Sequence, residues 1–459
     1  MKTKKLLPGD KAIAPGTVNT VPQKAMFPIS QDRLDAIMAE MGIRGITTAT
    51  IRQICSLAKG LEAEGDDKFV HLELGNPGIP AQRIGIDAEI EALNDGVACT
   101  YPAIMGIPAL KEAGSQFIKA FLGIDIPPKC VIPTVGSMQG SFTIMLLLGR
   151  RCQGKDTMLF INPGFPAQRH QAKVLGLKTE SFDIYDYRGD KLRSKLESIL
   201  AKGHITGIIY SNPNNPAWIN LTDSELRTIG ELATKYDAIV VEDLAYLGMD
   251  FRTDYSKPFC EPFIPSVARY TDNYILLISG SKIFSYAGQR IATLCMSEAV
   301  YNRRYPELEA FYGMTTFGDC YVFGVLYGAS SGTAHSAQIA LAHMMKAAAD
   351  GQINFIDDCR EYGRRGKRVI KAFEDNGFRL VYDKDGDSRI SDGFFFTAAY
   401  KDLDSGELQK ELLRYGIATI SLPSTGSLQS GIRVCVSMMT DEDAFDRLEK
   451  RLYQFHNDH

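Results

Sequence analysis

The stretch Ile275-Leu276-Leu277-Ile278-Ser279-Gly280-Ser281-Lys282 changes character halfway along. Four consecutive apolar residues suit a strand covered on both faces, since no position is left for solvent. The polar residues that follow end it abruptly. The same pattern recurs upstream. Met158-Leu159-Phe160-Ile161 stops at Asn162-Pro163-Gly164, the apolar run 205–210 stops at Ser211-Asn212-Pro213, and Ala238-Ile239-Val240-Val241 stops at Glu242-Asp243. Residues 291–296 add one more apolar run. Helical patterns lie between: 108–122, 137–148 entered through Gly136, and about 223–236, where Thr222 and Glu225 stand at capping-box spacing. Apolar strands alternating with helices predict an α/β fold, a large domain whose mostly parallel sheet is covered by helices.

Beyond this region the pattern shifts. Residues 353–376 read as one long helix, 393–397 and 431–436 as strands, and 405–415 and 441–456 as helices, which predicts a smaller C-terminal α+β domain. Before it, residues 1 to about 30 read as an extended arm rich in Pro, Gly and Lys. Residues 30–60 are helical with a break at 42–48, and Phe69 to Leu74 form a strand stopping at Gly75-Asn76-Pro77-Gly78. The expected division is 1–65 for the N-terminal arm and helices, 66–330 for the large domain and 331–459 for the small one. A chain of 459 residues suits more than one domain.

Composition narrows the function classes. A net charge of -4 speaks against a nucleic-acid surface or a polybasic membrane patch. Met1-Lys2-Thr3-Lys4-Lys5 leads through Leu6-Leu7 into Pro8-Gly9-Asp10, without the apolar core of an export signal. No uncharged apolar run approaches the ~18–20 residues of a membrane span. Nine scattered cysteines with no CxxC pair fit reduced thiols in a cytoplasm. The seven histidines form no metal-binding spacing. Asp383, Asp385 and Asp387 imitate a calcium loop, but Ser388 and Phe394 fill positions that require Gly and Glu. A polar hairpin turn is expected there, and no metal. The basic run Gly363-Arg364-Arg365-Gly366-Lys367-Arg368 is expected on the exposed face of the long helix.

In such sheets ligands bind beyond the carboxyl ends of the strands, and four features stand there. Lys282 can trap a carbonyl if its ammonium is desolvated or set among cations. Ser279, Ser281 and Arg290 around it offer hydroxyls and a guanidinium to a phosphate. Asp243 emerges from an apolar strand, where a carboxylate is costly unless paired, and a pyridinium N–H is a suitable partner. Asn212-Pro213-Asn214-Asn215-Pro216 makes a stiff turn that can aim an amide. Gly136-Ser137-Met138 opens a helix whose first amides suit an anion. A surface ion pair, a solvated acid, a turn and a helix cap would explain each feature alone; their order along the chain decides.

That order resembles the class I/II aminotransferase family of fold-type-I enzymes that use pyridoxal 5'-phosphate. Ser279-x-Ser281-Lys282-x-Phe284-x-x-x-Gly288-x-Arg290 resembles the family's cofactor-attachment signature, which implies a Schiff base on Lys282. Asp243 and Tyr246 resemble the pair that meets the pyridine nitrogen and the O3' oxygen, and Asn215-Pro216 the Asn-Pro that also bonds O3'. Gly136-Ser137-Met138 resembles the phosphate loop, and Pro163-Gly164-Phe165-Pro166 the segment whose ring, here Phe165, stacks on the cofactor. Tyr101-x-x-x-x-Gly106-x-Pro108 resembles the motif whose tyrosine reaches the phosphate in a neighbouring subunit, which implies a homodimer. Gly431-Ile432-Arg433 resembles the strand whose arginine clamps the substrate carboxylate, with Asn215 and Gly75 also at the substrate. The family often continues Asn-Pro with Thr-Gly, whereas Ala217-Trp218 stands here. The resemblance implies a transferase of nitrogenous groups that exchanges an amino group between an L-amino acid and a 2-oxo acid. A β-eliminating lyase is the alternative on the same scaffold.

Overall fold

A computed structural model describes residues 27–63 and 67–459. The arm expected over about 1–30 falls almost wholly outside the described residues. The helical stretch after it forms α1 (Gln31–Glu40) and α2 (Ile51–Glu62), separated by a short turn where the break is expected. Thr50 and Gln53 close a capping box at the start of α2. β1 is only Val70–His71, shorter than the expected strand. Its ladder is brief because the chain passes between two neighbours: Leu72 donates to Ala418 O (2.9 Å) and accepts from Cys435 N (2.8 Å).

Helices α3 (Arg83–Asn94) and α4 (Pro108–Leu122) precede the large sheet. That sheet consists of β2 (Val131–Thr134), β3 (Thr157–Asn162), β4 (Lys178–Asp183), β5 (Ile205–Ser211), β6 (Ile239–Asp243), β7 (Tyr274–Ser279) and β8 (Ala292–Met296). Around it lie α5 (Gly136–Leu148), α6 (Pro166–Val174), α7 (Lys191–Leu200), α8 (Asp223–Lys235) and the single turn α9 (Gly280–Ile283). The strand order is β2-β8-β7-β6-β5-β3-β4. Neighbours from β7 to β4 are parallel, and β8 runs against both β7 and β2. The mostly parallel sheet expected from the sequence is present, and it has seven strands. β3, β5, β6 and β7 are buried at every position, as their unbroken apolar runs require. β4 is an edge strand with exposed Lys178, Thr179 and Ser181, and its polar sequence hides it from a hydropathy reading.

The C-terminal part adds β9 (Phe378–Leu380), the hairpin β10 (Lys384–Asp385) and β11 (Ser388–Arg389), β12 (Phe395–Tyr400), β13 (Ile417–Ala418), β14 (Ile420–Ser421) and β15 (Ile432–Cys435). β14-β15-β12-β9 form an antiparallel sheet, while β13 pairs in parallel with β1. The long helix is Phe355–Asp375. The N-terminal helices share their core with this sheet: Leu34, Ile37, Ile54, Leu57 and Leu61 cluster with Leu413, Ala418 and Ile420.

The calcium-like loop is the expected hairpin. Asp385 is buried and paired with Arg188 (2.8 Å) and Arg252 (2.6 Å), and it accepts from Asn220 N (3.0 Å). No group of three or more His, Cys, Asp or Glu among the described residues is placed to hold a metal ion. No described helix is long and apolar enough to cross a membrane. The basic run departs from expectation. Arg364 and Lys367 face solvent, but Arg365 is buried and donates to Ser437 O (2.5 Å) and Gly78 O (3.0 Å). Gly366 permits this, since a Cβ there would come within 2.7 Å of Gly393 O. The helix therefore lies too close to its neighbour for the run to be wholly outward.

Candidate active site

Ser211, Asp243 and Ser279 end three adjacent strands of the large sheet, with Ser211 paired to Asp243 in register. Just past Ser279 the chain makes the turn α9, where Ser279 Oγ accepts from Ser281 N (3.1 Å). This cap aims Lys282 back over the strand ends. Its ammonium donates to Gly75 O and lies 5.6 Å from the centre of the Phe394 ring. Burial pulls its pKa down to about 8; Cys435 opposes this, and the Arg290, Arg433 and Arg52 charges reinforce it.

Successive residues of β6 point to opposite faces, which separates its two acids. Glu242 is satisfied within the core by Ser266 Oγ (2.6 Å), Val267 N (3.1 Å) and Tyr210 Oη (3.3 Å). The Asp243 carboxylate accepts from Gln168 Nε2 (2.7 Å) and Ala245 N (3.2 Å), and no ion pair reaches it among the described residues. Burial pushes its pKa up to about 6. A buried carboxylate without a cation is costly. It is ready for a ligand group that brings a positive N–H.

The turn after β5 is tied by Asn214, whose amide donates to Pro163 O (2.8 Å) and whose Oδ1 accepts from Ala217 N (3.0 Å). Asn215 is thereby presented to two partners. Its side chain meets the Tyr246 hydroxyl, and its Oδ1 accepts from Arg433 Nη1 (3.5 Å). Arg433 is 2 % exposed, donates through Nη2 to Glu73 O, and lies 4.9 Å from the centre of the Phe395 ring. Its Nε has no partner among the described residues. Trp218 lies behind this layer, against Tyr246 (5.7 Å) and Phe395 (6.3 Å). It supports the pocket wall through Tyr246.

At the other end of the site, Gly136 begins α5 with φ +67°, and a Cβ there would come within 2.4 Å of Arg290 Nη2. The positive φ favours glycine here, and the missing Cβ lets the Arg290 guanidinium lie against the helix start. Arg290 is exposed and donates to Ala287 O (3.0 Å), so its remaining donors are open to an anion. Ser137 and Met138 occupy the first turn of α5, where backbone amides lack intrahelical acceptors. Phe165 is half-buried directly before α6, one turn from Gln168 and hence close to Asp243.

Lys282 thus meets Gly75, and Arg433, Asn215 and Tyr246 meet one another, while Asp243 ends the strand beside Ser279 and is held by Gln168. Arg290 lies against Gly136, with Ser137 and Met138 next in the same turn, and Ser279 and Ser281 cap the turn that carries Lys282. Tyr101 stands apart, 94 % exposed. Gln168, Glu73 and Phe394 belong to the site without having been expected there. No motif marks Gln168; its only signal is a position one helical turn after Phe165.

The family model "Aminotransferase class I and II" matches residues 71–450. The chain is 27 % identical over 256 residues to a probable aspartate aminotransferase of Methanocaldococcus jannaschii, covering 56 % of this chain and 62 % of the relative. It is 26 % identical over 248 residues to an asparagine–oxo-acid transaminase of Streptococcus mutans, covering 51 % and 58 %. The matched stretch thus spans less than two thirds of either relative. In fold it is similar to an aspartate aminotransferase from Thermus thermophilus with maleate, at a TM-score of 0.71 and 17 % identity over 93 % of this chain and 99 % of that one. An aminotransferase from Mycobacterium tuberculosis gives a TM-score of 0.70 at 19 % identity, over 89 % and 96 %. With a match that runs from β1 into the last helix, this chain belongs to the class I and II aminotransferase family.

Proposed function

We propose that this chain is an aminotransferase that uses pyridoxal 5'-phosphate to move an amino group between an L-amino acid and a 2-oxo acid. One observation carries the reading: an amine of lowered basicity just past β7, a carboxylate at the end of β6 that is buried without a cation among the described residues, and a buried arginine on β15 with an open donor. The residues fit the cofactor. Asp243 suits its ring nitrogen, Asn215 and Tyr246 suit its phenolic oxygen, and Phe165 suits the face of its ring. Gly136, Ser137, Met138, Ser279, Ser281 and Arg290 suit its phosphate, and Lys282 is the attachment point for its aldehyde.

When bound, the cofactor supplies an electron sink for the substrate Cα–H bond. The chain's own groups do the rest. Arg433 grips the substrate carboxylate through its fork of donors, a geometry that lysine lacks. Asn215 and Gly75 border the same place. Lys282, held over the strand ends, takes the Cα proton at Nζ as general base and returns it on the far side of the reaction. Its lowered pKa suits both transfers. Asp243 stays ionised once a positive N–H faces it and holds that proton in place.

Tyr101, exposed in the single chain, is proposed to reach the phosphate of a second subunit in a homodimer. The nine free cysteines suit a reducing cytoplasm. The division at about residues 65 and 330 is kept as a working partition, with the N-terminal helices attached to the small sheet.

The test is a visible absorption spectrum of purified wild type and Lys282→Ala, before and after a mixture of amino acids. Wild type is expected to carry a cofactor band that amino acids bleach, and the variant to lack it. Wild-type protein that takes up no pyridoxal phosphate would overturn the reading.

A further inference from the structure

Arg433 is a buried cation that touches no side-chain carboxylate among the described residues, and the acid beside it is Glu73. The Glu73 carbonyl accepts from Arg433 Nη2, and its side chain is 1 % exposed. Glu73 Oε1 meets His71 Nδ1 at 2.9 Å, while Oε2 has no hydrogen-bond partner among the described residues. His71 Nε2 lies 3.5 Å from Glu62 Oε2, and the imidazole is 28 % exposed, so protons reach it from solvent. Arg433 Nε and Glu73 Oε2 are thus each buried without a hydrogen-bond partner among the described residues, in two residues that touch through the Glu73 carbonyl, and the Glu73 charge acts on Arg433.

We propose that Glu73 is a positioning residue for substrate binding, a standing rival for Arg433 whose pull is released when His71 is protonated. This rests on the reading of Arg433 as the carboxylate clamp. Two carboxylates act on one guanidinium, the substrate's by contact and that of Glu73 through its charge. With His71 protonated, the imidazolium is the counter-ion of Glu73, and Arg433 is free for substrate. Once His71 loses its proton, the Glu73 charge falls on Arg433 and weakens its hold on a second anion. In a poorly solvated site such a change is not screened away.

The surrounding groups hold still while this happens. From α2, Cys55 faces Glu73, and its thiol, pushed up to about 12 by burial and then by Glu73, stays neutral. Also on α2, Glu62 faces His71. From β15, Cys435 lies beside Arg433 with its thiol raised by burial. From the last helix, Arg447 and Arg451 face Asp67, and the Arg451 charge also acts on Glu62. Glu73 first, through its hydrogen bond, and then Glu62 hold the His71 pKa above its ordinary 6.5, against the opposing effect of burial. Substrate affinity is therefore high below that raised pKa and falls as pH rises through it. Lys282 titrates nearby, but it bonds Gly75, and its effect persists unchanged in a Glu73 variant.

The experiment uses holoenzyme and whichever of the common amino acids reacts fastest, with KM and kcat measured from about pH 6 to about pH 9. The KM of wild type is expected to rise about tenfold, one pKa unit of coupling, without a matching change in kcat. Glu73→Gln should have a low KM without this rise, keeping only the pH dependence that Lys282 contributes, and His71→Gln a KM near the high value with the same residual dependence. Histidine NMR of the wild type supplies a readout without any variant. By reciprocity, saturating substrate must raise the His71 pKa by the same factor. A Glu73→Gln enzyme that keeps the wild-type KM profile, or a His71 titration unmoved by substrate, would overturn the inference. Arg433→Ala separates the two readings: if its KM does not rise, the clamp itself is wrong, and the inference goes with it.

Discussion

Asp243→Asn is expected to stabilise the protein freed of cofactor and to weaken its hold on the cofactor. The carboxyl is 5 % exposed and meets no cation among the described residues, and burial moves its pKa from 3.8 to about 6. That interval, at about 1.4 kcal/mol per pKa unit, corresponds to about 3 kcal/mol. The sign follows from its direction. A carboxyl whose folded pKa is raised contributes fully below the unfolded value of 3.8, and that contribution is lost as pH rises through about 6. At pH 8 the cofactor-free wild type therefore bears the whole penalty, and asparagine removes it while still accepting from Ala245 N. Urea denaturation of both proteins, freed of cofactor, should give the variant an advantage of about 1–3 kcal/mol at pH 8 that vanishes near pH 4. Pyridoxal phosphate affinity, measured by equilibrium dialysis, should move the other way, because asparagine offers no negative charge to a pyridinium. A variant no more stable at pH 8, or one whose advantage persists in acid, would refute the account of Asp243 as an unpaired charge.

Uptake of pyridoxal phosphate by cofactor-free protein, followed by visible absorbance, should quicken as pH rises to about 8 and then level, because the Lys282 amine must be neutral to attack; a rise continuing toward 10.5 would count against the lowered pKa. Gly136→Ala should cut the affinity for pyridoxal phosphate by about tenfold or more, since a positive φ costs an L-residue about 1–2 kcal/mol and the new methyl displaces Arg290. Fluorescence titration with the cofactor would check it. Asp385→Ala should destabilise the fold by about 3 kcal/mol in urea melts, because Arg188 and Arg252 lose a shared buried partner, while KM stays within about twofold.

The chemistry of the site was legible where it interrupts a pattern. Asp243 and Lys282 show in the sequence because each comes as an apolar strand ends, and their order along the chain separates them from an ordinary ion pair or solvated acid. The large sheet was legible for the same reason, through its central strands. Features defined by neighbours distant in sequence were not. Glu73 reads as one residue of a strand, and nothing local ties it to Arg433, 360 positions away. The helix His335–Ala349 is apolar or small on nearly every side and packs between other helices, so it has no polar face to set a period. Arg365 reads as part of a basic run because the two glycines that let its helix approach Phe251 and Gly393 mark only proximity. The brevity of β1 follows from β13 and β15, which lie at the far end of the chain.

That last ladder has a consequence for synthesis. The apolar faces of α1 and α2 leave the ribosome long before the residues that cover them, Leu413, Ala418 and Ile420. At about 5–20 residues per second, Leu34, Ile54 and Leu57 wait roughly 20–70 s for their partners. The large sheet can close in that interval, since its strands lie between Val131 and Met296. The opening helices must meanwhile be shielded by other means, so a chaperone that binds short apolar helices would find its earliest client segment at the very start of this fold.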